Sequence, residues 1–129
     1  MNPEQTNFRL EAERLGDDPA TARFVLSGRF DAEGLPEALA AIDAARAEGT
    51  TRFLVDLGGL SFIGSAGIGI FLSLVEEMRG EGGGVVFLRV PPAVLRIFDV
   101  LNVTEFLEIE TDDEAALARL TACGAAGGV

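Results

Sequence analysis

Two short, continuous apolar runs limit the possible folds of this chain more than any other feature. They are residues 52–57, which are followed by two glycines, and residues 85–90. Between them, apolar side chains recur at helical spacing from Ile68 to Met78. An apolar run without alternation is typical of a strand that is buried on both faces of a parallel sheet, and a helix between two such strands forms a right-handed crossover. The pattern therefore predicts an α/β protein with a mostly parallel central sheet.

The remaining elements can be placed from alternation, turn residues and helix caps. Further strands are predicted at 8–15, 22–28 and 106–109, the first two as an antiparallel hairpin. Helices are predicted at 32–48, 68–79, 91–101 and 115–120. Asp31 is a candidate cap of the first helix, and Thr111 begins a capping box before the last. We therefore expect a single domain at 6–120 with about five strands and about four helices, followed by a disordered tail at 121–129.

The charge and the missing residue types exclude several functions. The chain carries 21 acidic and 10 basic residues, a formal net charge of -11, which disfavours binding to nucleic acid and to anionic membranes. Histidine is absent, so no catalytic or metal-binding histidine exists, and the lone Cys123 cannot form an internal disulfide. The N-terminus lacks the pattern of a signal peptide, and no apolar run reaches the roughly 20 residues that span a bilayer. We therefore expect a cytoplasmic protein.

Sites in open parallel sheets gather beyond the carboxyl ends of the strands. Two predicted loops lie there: one carries Asp31, and the other is Gly64-Ser65-Ala66-Gly67. The two glycines should leave the Ser65 hydroxyl exposed beside the free amides of a helix start, where a negative group is tolerated. The residues alone leave two interpretations open for Ser65, a plain helix N-cap or a modified serine, and they favour the cap. Asp31 is equally consistent with a plain cap.

Several segments agree in order and spacing with one known family across about residues 6–120. They are Ser27-Gly-Arg-Phe-Asp31, Phe53-Leu-Val-Asp-Leu57, Leu60-Ser-Phe-Ile-Gly-Ser-Ala-Gly-Ile-Gly69, Gly82-Gly-Gly-Val-Val-Phe87 and Val90-Pro-Pro-Ala-Val-Leu-Arg-Ile-Phe98. On these motifs the chain resembles the STAS-domain anti-sigma factor antagonists, which are also called anti-anti-sigma factors. Agreement over nearly the whole chain is more specific than any one short motif.

The resemblance implies a partner switch in transcription regulation, of the kind used in stress responses and sporulation. In that family the unmodified antagonist binds an anti-sigma factor that is also an ATP-dependent serine kinase, and phosphorylation by that kinase ends the association. By its position Ser65 would be the phosphoacceptor, and Asp31, Gly64, Ala66 and Gly67 would form the phosphorylation loop and partner-binding surface. The resemblance implies no enzymatic activity and no cofactor. It also implies a monomer or weak dimer, and a serine phosphatase that reverses the modification.

One residue departs from the family pattern. Many members carry aspartate immediately before the acceptor serine, where this chain has Gly64. The loop thereby loses a negative charge and gains backbone freedom, which would change recognition by a kinase or remove phosphorylation. This departure keeps a second interpretation open, a non-phosphorylated STAS scaffold subunit of a multiprotein sensory or regulatory complex. A third, a small-ligand-binding module, lacks an identifiable convergent polar pocket.

Other chemistries are disfavoured by the residues themselves. A serine hydrolase would need a histidine base, and it would need glycine where this chain has Ile63. The glycines around Ser65 fit neither the dinucleotide fingerprint nor the P-loop. The acidic residues Asp112, Asp113 and Glu114 suit the first turn of a helix better than a cation site. We therefore expect no catalytic residue and no metal ligand.

Overall fold

One five-stranded sheet runs through the described part of the chain. The computed structural model describes residues 8–15 and 20–127, and side chains at 8–15 and 20–122. The strands are β1 (Arg9–Arg14), β2 (Thr21–Phe30), β3 (Arg52–Ile63), β4 (Gly84–Leu88) and β5 (Glu108–Glu110). They lie in the order β1-β2-β3-β4-β5, with β1 antiparallel to β2 and the other pairs parallel. The predicted hairpin and mostly parallel sheet are confirmed.

Helices cover both faces of this sheet. They are α1 (Leu35–Ala47), α2 (Ser65–Gly80), α3 (Pro92–Val100) and α4 (Asp113–Gly127), with short 3-10 turns at Ala32–Gly34 and Thr104–Phe106. On β3, Phe53 and Val55 pack with α1, α2 and α3, whereas Leu54 packs with α4 on the other face. The continuous apolar run of β3 is thus buried on both faces, and the predicted α/β class is confirmed. Within the described ranges, no helix has the length and apolar character needed to cross a membrane.

Phenylalanine rings fill the core beneath the carboxyl edge of the sheet. The ring centroids of Phe30 and Phe71 are 5.4 Å apart, and those of Phe71 and Phe87 are 4.9 Å apart. Phe30 is the last residue of β2 and is fully buried. Close packing therefore extends to the strand ends, where it gives the loops above them a rigid base.

Two strands run further than the sequence predicts. β2 extends past residue 28 to Phe30, and β3 extends past residue 57 to Ile63. Register shifts interrupt the pairing of β2 with β3 near Gly28, which has a φ of 85°. Bulges of this kind bend a strand without ending it. The glycines at 58 and 59 therefore lie within a bulged strand, where the prediction placed a strand end.

The elements near the C-terminus also differ from their predicted bounds. The strand predicted at 106–109 begins at Glu108, because Phe106 ends a 3-10 turn in which its N–H donates to the carbonyl oxygen of Val103. The helix cap is Asp112 and not Thr111, since Asp112 Oδ1 accepts the N–H of Ala115 at 2.8 Å. The predicted first-turn role of the acidic residues at 112–114 is therefore supported, although the cap was placed one residue too early.

α4 is longer than predicted and takes in most of the expected tail. The sequence predicts an end at residue 120, whereas the helix continues to Gly127. Residues 121–127 contain three alanines, which favour a helix, and two glycines, which disfavour one. Residues 128 and 129 and the side chain of Cys123 lie outside what the structure describes.

Candidate functional site

The loops that follow β2 and β3 meet at the carboxyl edge of the sheet, as predicted. Phe30 and Ile63, the last residues of the two strands, are register partners. The N–H of Gly64 donates to the carbonyl oxygen of Phe30 at 2.8 Å. A Cβ atom placed on Gly64 would lie 3.5 Å from the Cβ of Asp31. The structure therefore brings Asp31 directly beside the loop at 64–67.

Ser65 is the first residue of α2, which starts earlier than the predicted Ile68. The N-cap is Gly64, whose backbone is extended (φ -97°, ψ 176°), and no side chain makes a capping hydrogen bond to this helix. The interpretation of Ser65 as a plain N-cap is therefore wrong. The side chain of Ser65 is exposed, and it lies beside first-turn amides that have no acceptor within the helix.

Gly67 sets how closely α2 approaches the sheet. This residue is buried, and a Cβ atom on it would lie 2.9 Å from Phe30 Cδ2 and 3.0 Å from Ile63 Cγ1. Both neighbours are core side chains, 0% and 2% exposed, and have little room to move. The glycine therefore allows the start of α2 to lie directly over the strand ends, with Ala66 half-buried and Ser65 at the rim.

Gly67→Ala is expected to lower the free energy of unfolding by about 1–3 kcal/mol, the typical effect of overpacking a core. The matched control is Gly69→Ala in the same helix, where a Cβ atom meets nothing within 4 Å. Alanine favours a helix over glycine by about 0.8–1.0 kcal/mol, so the control should be more stable than the wild type. Urea unfolding measures both variants. Equal stability of the two would contradict the close contact of Gly67 with the sheet.

Asp31 caps the 3-10 turn that precedes α1. Its Oδ1 accepts the N–H of Glu33 at 3.1 Å, and its carbonyl oxygen accepts the N–H of Gly34 at 3.0 Å. These bonds support the interpretation of Asp31 as a cap, and they hold its negative charge beside Gly64. A role of Asp31 in partner binding stays a prediction.

An apolar groove of about 420 Å³ lies beside Ser65, between α2 and α3. Its lining residues are Phe62, Ile63, Gly64, Ser65, Ile68, Arg96, Ile97, Val100 and Leu101. Val100 is 73% exposed and Leu101 is 50% exposed, although both are large apolar side chains. Exposed apolar surface of this kind is typical of a binding site.

The contribution of α3 to this groove was missed by the sequence reasoning. The buried face of α3 carries Val94 and Phe98, which are spaced four residues apart. Ile97, Val100 and Leu101 are three and four residues apart, and they form a second apolar face beside the buried one. A helix with two apolar faces at its C-terminal end was the available signal for a docking surface.

A charged cluster lies away from the groove, on the face of the sheet that α4 covers. The buried Asp56 accepts hydrogen bonds from Arg89 at 2.6 Å, from Arg23 at 3.1 Å and from the N–H of Gly58 at 2.9 Å. The hydrogen bond to Asp56 raises the pKa of the Arg89 guanidinium above its ordinary value. Arg89 also pairs with Asp113 at 3.3 Å and so ties α4 to the sheet. No group of three metal-ligating side chains occurs in the described part of the chain.

The chain is similar in sequence to curated anti-sigma factor antagonists. It is 29% identical over 91 residues to the anti-sigma F factor antagonist of Lysinibacillus sphaericus, a match that covers 70% of this chain and 78% of that protein.

Solved structures with the same fold include further anti-sigma factor antagonists. One from Mycobacterium paratuberculosis has a TM-score of 0.76 and 22% identity, over 90% of this chain and 96% of that chain. SpoIIAA in its unphosphorylated form has a TM-score of 0.71 and 24% identity, over 90% and 97%. The phosphorylated form of SpoIIAA from Bacillus has a TM-score of 0.62 and 24% identity, over 84% and 96%. At these identities the similarity shows the fold.

The family model described as "Mlab, STAS domain" matches residues 14–109. That range contains β2 to β5 in part or whole, both loops of the site and the groove beside Ser65. The resemblance on motif order and spacing is confirmed by this match. The chain therefore belongs to the STAS domain family.

Proposed function

We propose that this chain is an anti-sigma factor antagonist that binds an anti-sigma factor through the surface around Ser65 and loses that partner when Ser65 is phosphorylated. The observation that carries the proposal is an exposed Ser65 at the rim of an apolar groove. The curated relative is an anti-sigma F factor antagonist, and SpoIIAA, which shares the fold, has been solved with and without phosphorylation. These relatives support both halves of the proposal.

The groove supplies the apolar part of the docking surface. Val100 and Leu101 expose large apolar side chains, and their burial by a partner would stabilise the complex. The chain as a whole carries a net charge of -11, which favours encounter with a basic partner, and the charged residue in the groove lining is Arg96. The anti-sigma factor would therefore fill the groove with apolar side chains and pack against Ser65.

Phosphorylation would change this surface without refolding the chain. The Ser65 oxygen attacks the γ-phosphorus of ATP, ADP leaves, and the hydroxyl proton passes to a base of the kinase. The added group carries about -1.5 to -2 charges and three acceptor oxygens. First-turn amides of α2 can donate to it, whereas a partner packed on Ser65 would have to desolvate the charge. Release of the partner follows.

The proposal makes the chain a regulatory protein and not an enzyme. Its partner is an anti-sigma factor that is also an ATP-dependent serine kinase, and a serine phosphatase restores the unmodified form. A switch of this kind works as a cytoplasmic monomer or weak dimer that exchanges one-to-one partners, and it needs no cofactor or metal.

A second candidate function, a STAS scaffold subunit that is not phosphorylated, is favoured by a second apolar surface. This surface is an open groove of about 370 Å³ between α2 and the turn Thr104–Phe106, and the side chain of Phe106 is 58% exposed. Two apolar surfaces suit a protein that holds several partners at once. Gly64 adds weight, because its φ of -97° and an ordinary 3.5 Å contact at Cβ would accept aspartate. The fold therefore does not require glycine at position 64, and the absence of aspartate there has no structural cause.

Intact-mass spectrometry after incubation with ATP and a candidate anti-sigma factor kinase distinguishes the two functions. We expect one added phosphate on the wild type and none on Ser65→Ala, because Ser65 is the exposed hydroxyl at the groove. A kinase that modifies another antagonist but leaves this chain unmodified would favour the scaffold. Gly64→Asp then tests whether the missing carboxylate is the reason.

A further inference from the structure

Arg96 lines the same groove as Ser65 and has no acidic partner within residues 8–15 and 20–122. It lies on α3 with its side chain exposed. The arginines that form ion pairs with carboxylates are Arg14, Arg23, Arg46, Arg79, Arg89 and Arg119. Within the described residues Arg9, Arg29 and Arg52 also form no ion pair, so what distinguishes Arg96 is its place in the lining of the groove that contains Ser65.

The other charges near the groove are arranged so that an anion is tolerated there. The first turn of α2, which begins at Ser65, has no acidic residue, whereas those of α1 and α4 both do. The negative charge of Asp31 beside Gly64 opposes an anion on Ser65, although its carboxylate accepts a backbone hydrogen bond, and Asp99 of α3 accepts a threonine hydroxyl at 2.6 Å. The Arg29 guanidinium lies 4.1 Å from the centroid of the Phe62 ring, which also lines the groove. Arg96 therefore lines the groove together with Ser65, and a second cation, Arg29, lies against another residue of the lining.

We propose that Arg96 binds the phosphate of phosphorylated Ser65 across the groove, so that the modified chain occupies its own docking surface. The inference rests on the proposed phosphorylation of Ser65. A guanidinium presents parallel N–H donors to phosphate oxygens and is weakly hydrated, which suits phosphate binding over an apolar surface. The long aliphatic part of an arginine also covers apolar side chains when its charged end is held.

This contact would be a second cause of partner release, besides the charge of the phosphate. In the unmodified chain, Arg96 leaves the apolar lining of the groove accessible, as the exposure of Val100 and Leu101 indicates. In the modified chain, the pair of Arg96 and phosphate lies between α2 and α3 and covers that lining. The partner then has to break a charge-assisted contact before it can bind.

The test places phosphoserine at position 65 during translation, so that it does not depend on any kinase. A 31P NMR titration then gives the second pKa of the phosphate, which is about 6 in a free phosphoserine. Because a nearby cation favours the dianion, we expect this pKa to be roughly 0.5–1 lower in the wild type than in Arg96→Gln. The matched control is Arg9→Gln, which removes an exposed arginine from β1 and should keep the wild-type value. Equal pKa values in the wild type and Arg96→Gln would overturn the proposal.

A binding measurement separates an internal contact of Arg96 from a contact with the partner. The quantity measured is the ratio of the anti-sigma factor's affinities for the unmodified and the phosphorylated chain. Arg96→Gln is expected to reduce this ratio about tenfold, because one charge-assisted contact that blocks the groove is lost. A variant that weakens both forms equally would show that Arg96 contacts the partner, and the proposal would be wrong. Failure of the kinase to modify the wild type would instead overturn the proposed switch, while the 31P result would stand.

Discussion

Ser65→Glu is expected to weaken binding of the anti-sigma factor at least about 30-fold. Ser65 is exposed at the rim of the groove, so a partner that fills the groove packs against this side chain. A carboxylate that an interface has to desolvate costs about 2 kcal/mol or more, and 1.4 kcal/mol corresponds to a tenfold change in affinity. Isothermal titration calorimetry with the anti-sigma factor measures the change directly.

Ser65→Gln is the matched control for this prediction, because glutamine has the size of glutamate without its charge. If charge causes release, the glutamine variant should bind more tightly than the glutamate variant. If bulk causes release, the two should bind equally. Binding of both Ser65→Glu and the phosphorylated protein at wild-type strength would refute the switch.

The fold could be predicted because its signals are local and repeat along the chain. A strand buried on both faces needs apolar residues toward both layers, and Leu54 and Val55 of β3 meet this need on opposite sides. The right-handed crossover then places the loops after β2 and β3 at one edge of the sheet. The proximity of Asp31 to Gly64 follows from the order of the elements alone.

The start of α2 could not be predicted from local preferences. Serine is a better N-cap than glycine, so the residues alone favoured Ser65 as the cap. The cap is Gly64 instead, because α2 is held against the sheet at Gly67, which packs on Phe30 from a distant part of the sequence. Tertiary packing therefore places the cap at Gly64, one residue before the serine that local preferences favour.

The groove and the buried ion pairs also depend on contacts between distant segments. The groove forms only where α3 lies beside the start of α2, and its depth is set by how both helices pack on the sheet. Asp56 meets Arg23 and Arg89 because β2, β3 and β4 are neighbours in the sheet. Such pairings follow from the register of the strands, which a single sequence does not specify.

Gly83→Ala is expected to destabilise the chain more than any substitution at the site. A Cβ atom on the buried Gly83 would lie 1.8 Å from the carbonyl oxygen of Thr51 and 2.7 Å from its carbonyl carbon. These are backbone atoms in fixed positions: Thr51 accepts the N–H of Gly84 at 3.0 Å and donates to Ala20 at 2.9 Å. Relief of the clash requires separation of β3 and β4 where their pairing begins, at Arg52 and Gly84.

Gly83→Ala is expected to lower the free energy of unfolding by more than about 3 kcal/mol. This is a large share of the roughly 5–15 kcal/mol that is typical of a domain. Gly80→Ala is the matched control, since a Cβ atom on this residue at the end of α2 meets nothing within 4 Å. Urea unfolding should leave the control near the wild type and show Gly83→Ala unfolded or nearly so. The glycines of this turn thus differ in their roles: Gly82 supplies a positive φ of 82°, and Gly83 permits the close approach of two strands. A stable Gly83→Ala variant would mean that β4 enters the sheet by another path.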